Sequence, residues 1–272
     1  MATIELDQLN IYYDQMGNGP DLVWLSGGGG LGSDWHTWQV PYFQPFFRNT
    51  TFDNRGIGST ECTAPEPWTI ADFARDAASL IEAVCAPPVA VAGLSMGSLI
   101  GCQLALDRPD LLRCAILMGT AAQGHSGWLG DYMGAEVEFR RHGGRLTGML
   151  ATTHYAAELY PGHVLADEKL WEQIKGFLGS QFLEENERSL IPQWQACIDF
   201  DVVDRLPGCT VPLHVFAFEQ DVQAPWPYGK RLADLAPTAE FQLFAGMGHC
   251  SIFGHAHDIL NPRIKQVLDR YV

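Results

Sequence analysis

The 272-residue chain is predicted to be an α/β protein, with a mainly parallel sheet flanked by helices and one helical insertion. Three observations carry that expectation. Short apolar, β-branched runs alternate with longer amphipathic stretches. The alternation lapses into helical patterns alone between residues 121 and 204, and it resumes afterwards with two further strands. A core of residues 1–120 and 205–272 interrupted by a helical cap at 121–204 follows.

Taken in order, "TIELDQ" and "NIYYDQM" read as a hairpin closed off by a "GNGP" turn. "DLVWLS", from Asp21 to Ser26, is too apolar for an edge and predicts a central strand that runs into a glycine loop at 27–32. A helix is expected over Asp34 to Phe47, then a short strand "TTFDN" ending at Asp53. Ile70, Phe73, Ala77, Leu80, Ile81 and Val84 recur at helical spacing, which predicts a helix over Thr69 to Val84. "PPVAVAG" supplies a strand, Met96 to Leu106 a helix, and "CAILMG" a buried strand. After the insertion come "VPLHVFAF", a helix over Trp226 to Leu235, "EFQLFA", and a closing helix over Asp258 to Arg270.

With 17 basic against 32 acidic side chains the formal charge is −15, which repels phosphate backbones and anionic lipid and argues against nucleic acid as a partner. No basic leader precedes an apolar run, and no apolar stretch reaches the roughly 18 residues of a membrane span, so a cytoplasmic protein without membrane contact is expected. The seven cysteines are odd in number and scattered, the pattern of small buried hydrophobes. His249, His255 and His257 cluster without any metal-ligand motif, so neither a metal nor a cofactor is expected. The oligomeric state is left open, a homodimer included.

"GLSMG", Gly93 to Gly97, interrupts a buried strand with a serine between glycines and leads directly into a helix. A strained turn of that kind exposes the Ser95 hydroxyl at a helix N-terminus, where backbone N–H groups favour developing negative charge. A serine hydroxyl needs a base, and histidine has the suitable ordinary pKa. His249 sits in a glycine-rich loop directly after the last strand, whereas His255 and His257 fall toward the closing helix. The base in turn needs a carboxylate. "FAFEQDVQAP" offers Glu219 and Asp221 just past a strand, and Asp221 is preferred because Glu219 is barely clear of it.

"GLSMG", "DNRGIGST" and "AGMGHC" resemble the nucleophile elbow, the Asp-x-Arg-Gly loop and the histidine loop of the α/β-hydrolase superfamily, over nearly the whole chain. Within it, "EQDVQAPWPYGKRLADLAPTAEFQLFAGMGH" is similar to the acid-to-histidine segment of the enol-lactonase and aclacinomycin methylesterase-like branch. The resemblance implies an eight-stranded sheet, a Ser95, Asp221, His249 triad, and an oxyanion hole from the N–H groups of Met96 and Gly28. "WLSGGGG" departs from the family's His-Gly pattern by placing Ser26 at the histidine. Asp53, Arg55 and Gly58 are expected to hold loops. In the insertion, Trp128, Tyr132, His154, Tyr155 and Trp194 are candidate substrate contacts, with Phe177 and Phe182 as further aromatic candidates, and Cys250 is read as packing.

The expected function is a serine hydrolase that cleaves an ester or lactone of a fairly apolar small molecule. Carbon–carbon bond hydrolysis and cofactor-free perhydrolysis use the same three residues, and a non-catalytic small-molecule receptor can keep them. "GGGGLG" followed by Asp53 also formally matches a dinucleotide fingerprint, although a hairpin precedes the strand that should begin such a domain.

Overall fold

The computed structural model describes residues 2–6, 8–179 and 187–272. Strands β1 (Ala2–Leu6) and β2 (Leu9–Met16) form an antiparallel hairpin, and β2 pairs antiparallel with β4 (Arg48–Phe52). From there the sheet is parallel. β4 lies beside β3 (Asp21–Leu25), then follow β6 (Val89–Leu94), β7 (Leu112–Met118), β8 (Leu213–Phe218) and β9 (Ala239–Phe244). A two-residue strand, β5 (Glu61–Cys62), adds to β2 and makes the sheet nine-stranded, one more than expected.

Alternation along the central strands builds two cores. Val23, Leu25, Val91, Leu117 and Val215 face the layer of α2 (Ile70–Val84), α3 (Met96–Asp107) and α9 (Trp226–Leu235). Leu22, Trp24, Ala92, Ile116 and Phe216 face α1 (Gln39–Phe43) and α10 (His257–Leu268). Helix α2 begins where a capping box allows: Thr69 Oγ1 accepts from the Asp72 N–H, and Asp72 Oδ2 accepts from the Thr69 N–H at 2.9 Å.

The helix expected over Asp34 to Phe47 is corrected. A 3₁₀ turn covers Gly32–His36, and α1 starts only at Gln39. Pro41 has no N–H to give, so a helix holding it places it in the first turn.

Between β7 and β8 the described residues run through α4 (Gly127–Arg141), α5 (Gly148–Leu159), α6 (Gly162–Leu165), α7 (Glu168–Gly179) and α8 (Glu187–Ile198). The ends of this excursion meet. Gln123 bridges Asp201, the Gly124 N–H donates to the Phe200 carbonyl at 2.8 Å, and the Val202 N–H donates to the Ala122 carbonyl at 3.0 Å. No described helix is long and apolar enough to cross a membrane.

Candidate active site

In a parallel sheet the C-terminal strand ends share one edge, and ligand sites form there. Five adjacent strands, β3, β6, β7, β8 and β9, carry respectively the glycine loop, Ser95, Gly119, Asp221 and His249 just beyond their ends.

Ser95 has φ +56° and ψ −124°, a backbone conformation that L side chains avoid. Its flanking glycines are required by contact. A Cβ on Gly93 would lie 2.2 Å from the Gly97 carbonyl oxygen, and one on Gly97 would lie 2.0 Å from that of Leu25. The turn is pinned by the Ser95 N–H, which donates to the Met118 carbonyl at 2.9 Å, and by Ser98 Oγ, which donates to the Ser95 carbonyl at 2.6 Å.

His249 Nδ1 lies 2.7 Å from Asp221 Oδ2, and both side chains are almost wholly buried. Asp221 Oδ1 also accepts from the Ala224 N–H at 2.8 Å, so both carboxylate oxygens are engaged. Nε2 of His249 is buried and finds no partner among the described residues. His249 and Ser95 line the same cavity. Gly119, at φ +57°, admits the imidazole: a Cβ there would come within 2.8 Å of His249 Cε1.

The rivals are placed elsewhere. Glu219 Oε2 accepts from the Gly246 N–H at 2.9 Å on the surface. His255 Nε2 hydrogen-bonds Ser251 Oγ at 2.7 Å, and His257 Nδ1 pairs with the Gly254 carbonyl. Cys250 lines the cavity, but burial pushes its thiol pKa up, the opposite of what a nucleophilic thiol needs.

A count of N–H groups narrows the choice among the four consecutive glycines. Gly29 donates to Gln193 Oε1 at 2.8 Å and Gly30 to the Gly27 carbonyl at 3.1 Å. Leu31 and Gly32 donate to the carboxylates of Asp34 and Asp53, each at 2.9 Å. Among the described residues no acceptor takes the N–H of Gly27 or Gly28, and both glycines line the cavity together with Met96, the first residue of α3. Gly28 has an ordinary φ and is small for a different reason: a Cβ on it would lie 3.0 Å from Trp194 Nε1. Ser26 works as a brace, taking a hydrogen bond from Trp35 Nε1 at 3.0 Å and giving one to the Leu31 carbonyl at 3.1 Å.

Asp53 is spent on Gly32 and on the Ser59 N–H, 2.9 Å from Oδ2, which removes the acid that a dinucleotide ribose would need. Arg55 forms a two-pronged pair with Asp76 at 2.7 Å on each arm, and a Cβ on Gly58 would meet Asp53 Oδ2 at 2.2 Å. All three hold loops.

The cavity is mainly apolar, with Leu94, Leu99, Leu129, Met133, Leu159 and Leu178 among its walls. Of the aromatic candidates, Tyr132, Tyr155, Phe177 and Trp194 line it. Trp128 and His154 are not among its lining residues. Trp128 is 54% exposed and donates to the Val222 carbonyl at 2.6 Å, bordering a shallow surface notch instead. His154 turns to Glu158 at 2.9 Å and Glu136 at 3.5 Å. Donor atoms of these three residues lie within 4.8 Å of one another, but Arg140 already engages Glu136, and Tyr132 already engages Glu158. The cluster is a hydrogen-bonded polar network that ties α4 to α5 through Tyr132 with Glu158 and Arg140 with Tyr155. Phe182 lies outside the described residues.

Sequence reasoning missed Gln193, Thr120 and Gln223, which are polar or half-polar positions near the site with no motif around them. Only contact across the fold reveals them.

An elbow serine beside a buried histidine and carboxylate, on a parallel sheet with helices on both faces, defines the α/β-hydrolase class. The alpha/beta hydrolase family model matches residues 22–261, and the chain belongs to that family. It is 30% identical over 260 residues to BpoC of Mycobacterium tuberculosis, a protein named as a non-heme bromoperoxidase, covering 94% of this chain and 97% of that one. It is 26% identical over 267 residues to RutD of Pantoea ananatis, named as a carbamate hydrolase, covering 93% and 89%. The crystal structure of BpoC superposes with a TM-score of 0.88 over 97% of both chains. The enol-lactonase of Burkholderia xenovorans LB400 shares the fold, with a TM-score of 0.86, 21% identity, and coverage of 98% and 100%.

Proposed function

We propose that this chain is a serine hydrolase acting on an ester or lactone of a fairly apolar small molecule. The observation that carries the reading is the buried His249 and Asp221 pair beside the strained Ser95 turn, in one apolar cavity. Ser95 Oγ attacks the carbonyl while His249 Nε2 takes its proton, and Asp221 holds Nδ1–H and stabilises the imidazolium. The developing oxyanion accepts from the N–H groups of Met96 and Gly28. His249 then returns the proton to the departing alkoxide, or to the ring oxygen of a lactone, and the acyl group stays on Ser95. Water attacks the acyl-enzyme with His249 as base, which releases the acid and restores the hydroxyl. Helices α4 to α8 serve as the cap that keeps bulk water from this chemistry.

The similarity to BpoC favours a second use of the same intermediate. Hydrogen peroxide in place of water would release a peracid from the acyl-enzyme and return Ser95 unchanged.

A fluorophosphonate probe tests the nucleophile: one label on Ser95 in the native protein and none in S95A are expected. p-Nitrophenyl esters of rising acyl length, a lactone panel and a methyl-ester panel, each with and without peroxide, then sort the substrates. S95A should reduce kcat by roughly 10⁶ and D221N by about 10⁴. Absence of labelling and turnover in the native protein would favour a small-molecule receptor on this fold.

A further inference from the structure

We infer that Gln193, a residue of helix α8, is a positioning residue for the oxyanion hole and couples the cap to the chemistry at Ser95. This rests on the serine-hydrolase reading above. Gln193 is fully buried, and both ends of its amide are spent on the core: Oε1 accepts from the Gly29 N–H at 2.8 Å, and Nε2 donates to the Arg55 carbonyl at 3.3 Å. It thereby joins the loop after β3 to the loop after β4, across 164 and 138 residues of sequence.

The glycine loop needs such a tie. Four glycines in a row have a wide choice of backbone conformations, and an oxyanion hole works only if its donors are fixed before charge develops. Gly29 adopts φ +75°, and among the described residues its N–H is the one loop donor that an insertion residue holds; Gly30, Leu31 and Gly32 are held from within the core. The Gly29 N–H belongs to the Gly28–Gly29 peptide unit, so holding it restricts Gly28, and a Cβ on Gly28 would lie 3.0 Å from Nε1 of Trp194, the next residue of α8. Without Gln193 the Gly29 N–H would compete with Gly28 for the substrate oxygen, or turn the loop toward another acceptor. Because the stabilised charge exists in the transition state and not in the bound ester, the effect belongs in kcat.

The test compares Q193M, which keeps the volume and removes both hydrogen bonds, with the native protein on a p-nitrophenyl ester that it turns over. The expected result is a kcat reduced at least tenfold with KM within twofold, and a similar loss in affinity for an alkylboronic acid, whose serine adduct carries the tetrahedral charge. S189A is the control. Ser189 Oγ ties the same helix to the Gly56 carbonyl without touching the glycine loop, so its kcat should stay within twofold. Native kcat in Q193M, or equal losses in Q193M and S189A, would overturn the proposal, because the helix would then matter only as packing. If Q193M does not fold, Q193N carries the same expectation, and failure of both to fold would equally place Gln193 among purely structural residues. Fluorophosphonate labelling of the native protein separates this question from the first: a native chain that labels while Q193M behaves as native sinks only the role of Gln193.

Discussion

Replacing Ser95 by glycine should make the protein more stable, and replacing it by alanine should not. The serine sits at φ +56° and ψ −124°, where a Cβ crowds the backbone and glycine does not. A non-glycine residue in such a region costs about 1–3 kcal/mol. Glycine returns roughly 0.5–1 kcal/mol of that through the greater freedom of its unfolded chain. The net gain for S95G over S95A is therefore about 1 kcal/mol, or about 2 °C in Tm for a chain of this length. The comparison with alanine matters because both variants lose the hydroxyl and its half-buried contacts, so their difference isolates the Cβ. Urea unfolding followed by circular dichroism gives the free energies, and scanning calorimetry gives the midpoints. Equal stability of S95G and S95A would refute the claim that the elbow stores backbone strain.

Two further outcomes are expected. G119A forces a side chain into a φ of +57° and toward His249 Cε1, so it should lower kcat at least tenfold by tilting the imidazole, and unfold at lower urea concentration than the native chain, in paired kinetic and unfolding measurements. His214 is buried beneath Tyr271, and desolvation pushes its pKa down to about 4 from an ordinary 6.5. The unfolded chain then takes up this proton before the folded one does, so the contribution is intact above pH 6.5 and is lost as pH falls toward 4. Between pH 7 and pH 4.5 the native protein should lose about 2.5 kcal/mol that H214F keeps, measured by urea unfolding at both values.

The sheet and the elbow were legible in the sequence because their signals are local. The alternation of Val89 to Ala92, the helical spacing of Ile70 to Ile81, and glycines two residues either side of Ser95 all act over a few residues of covalently joined chain. Placing each chemical residue just past a strand end also needed only the order of elements, since parallel strands bring those ends to one edge. The helix expected at Asp34 failed for a local reason too: Pro41 outweighed the apolar pattern.

What the tertiary structure decided are the matters that hang on pairing between distant segments. Glu219 and Asp221 are two residues apart and chemically alike, and only the position of the histidine loop shows that Asp221 faces His249 while Glu219 binds the Gly246 amide. Four identical glycines carry no register of their own, so among the described residues the N–H groups without an acceptor emerge only once Gln193 is seen to hold Gly29 and the Gly27 carbonyl to hold Gly30. Trp128 and Trp194 look the same as cap aromatics, yet one packs on the surface and the other against Gly28. Periodicity and turn chemistry are properties of a short stretch of chain, whereas a hydrogen bond between residues 29 and 193 exists only after the whole chain has closed around its two cores.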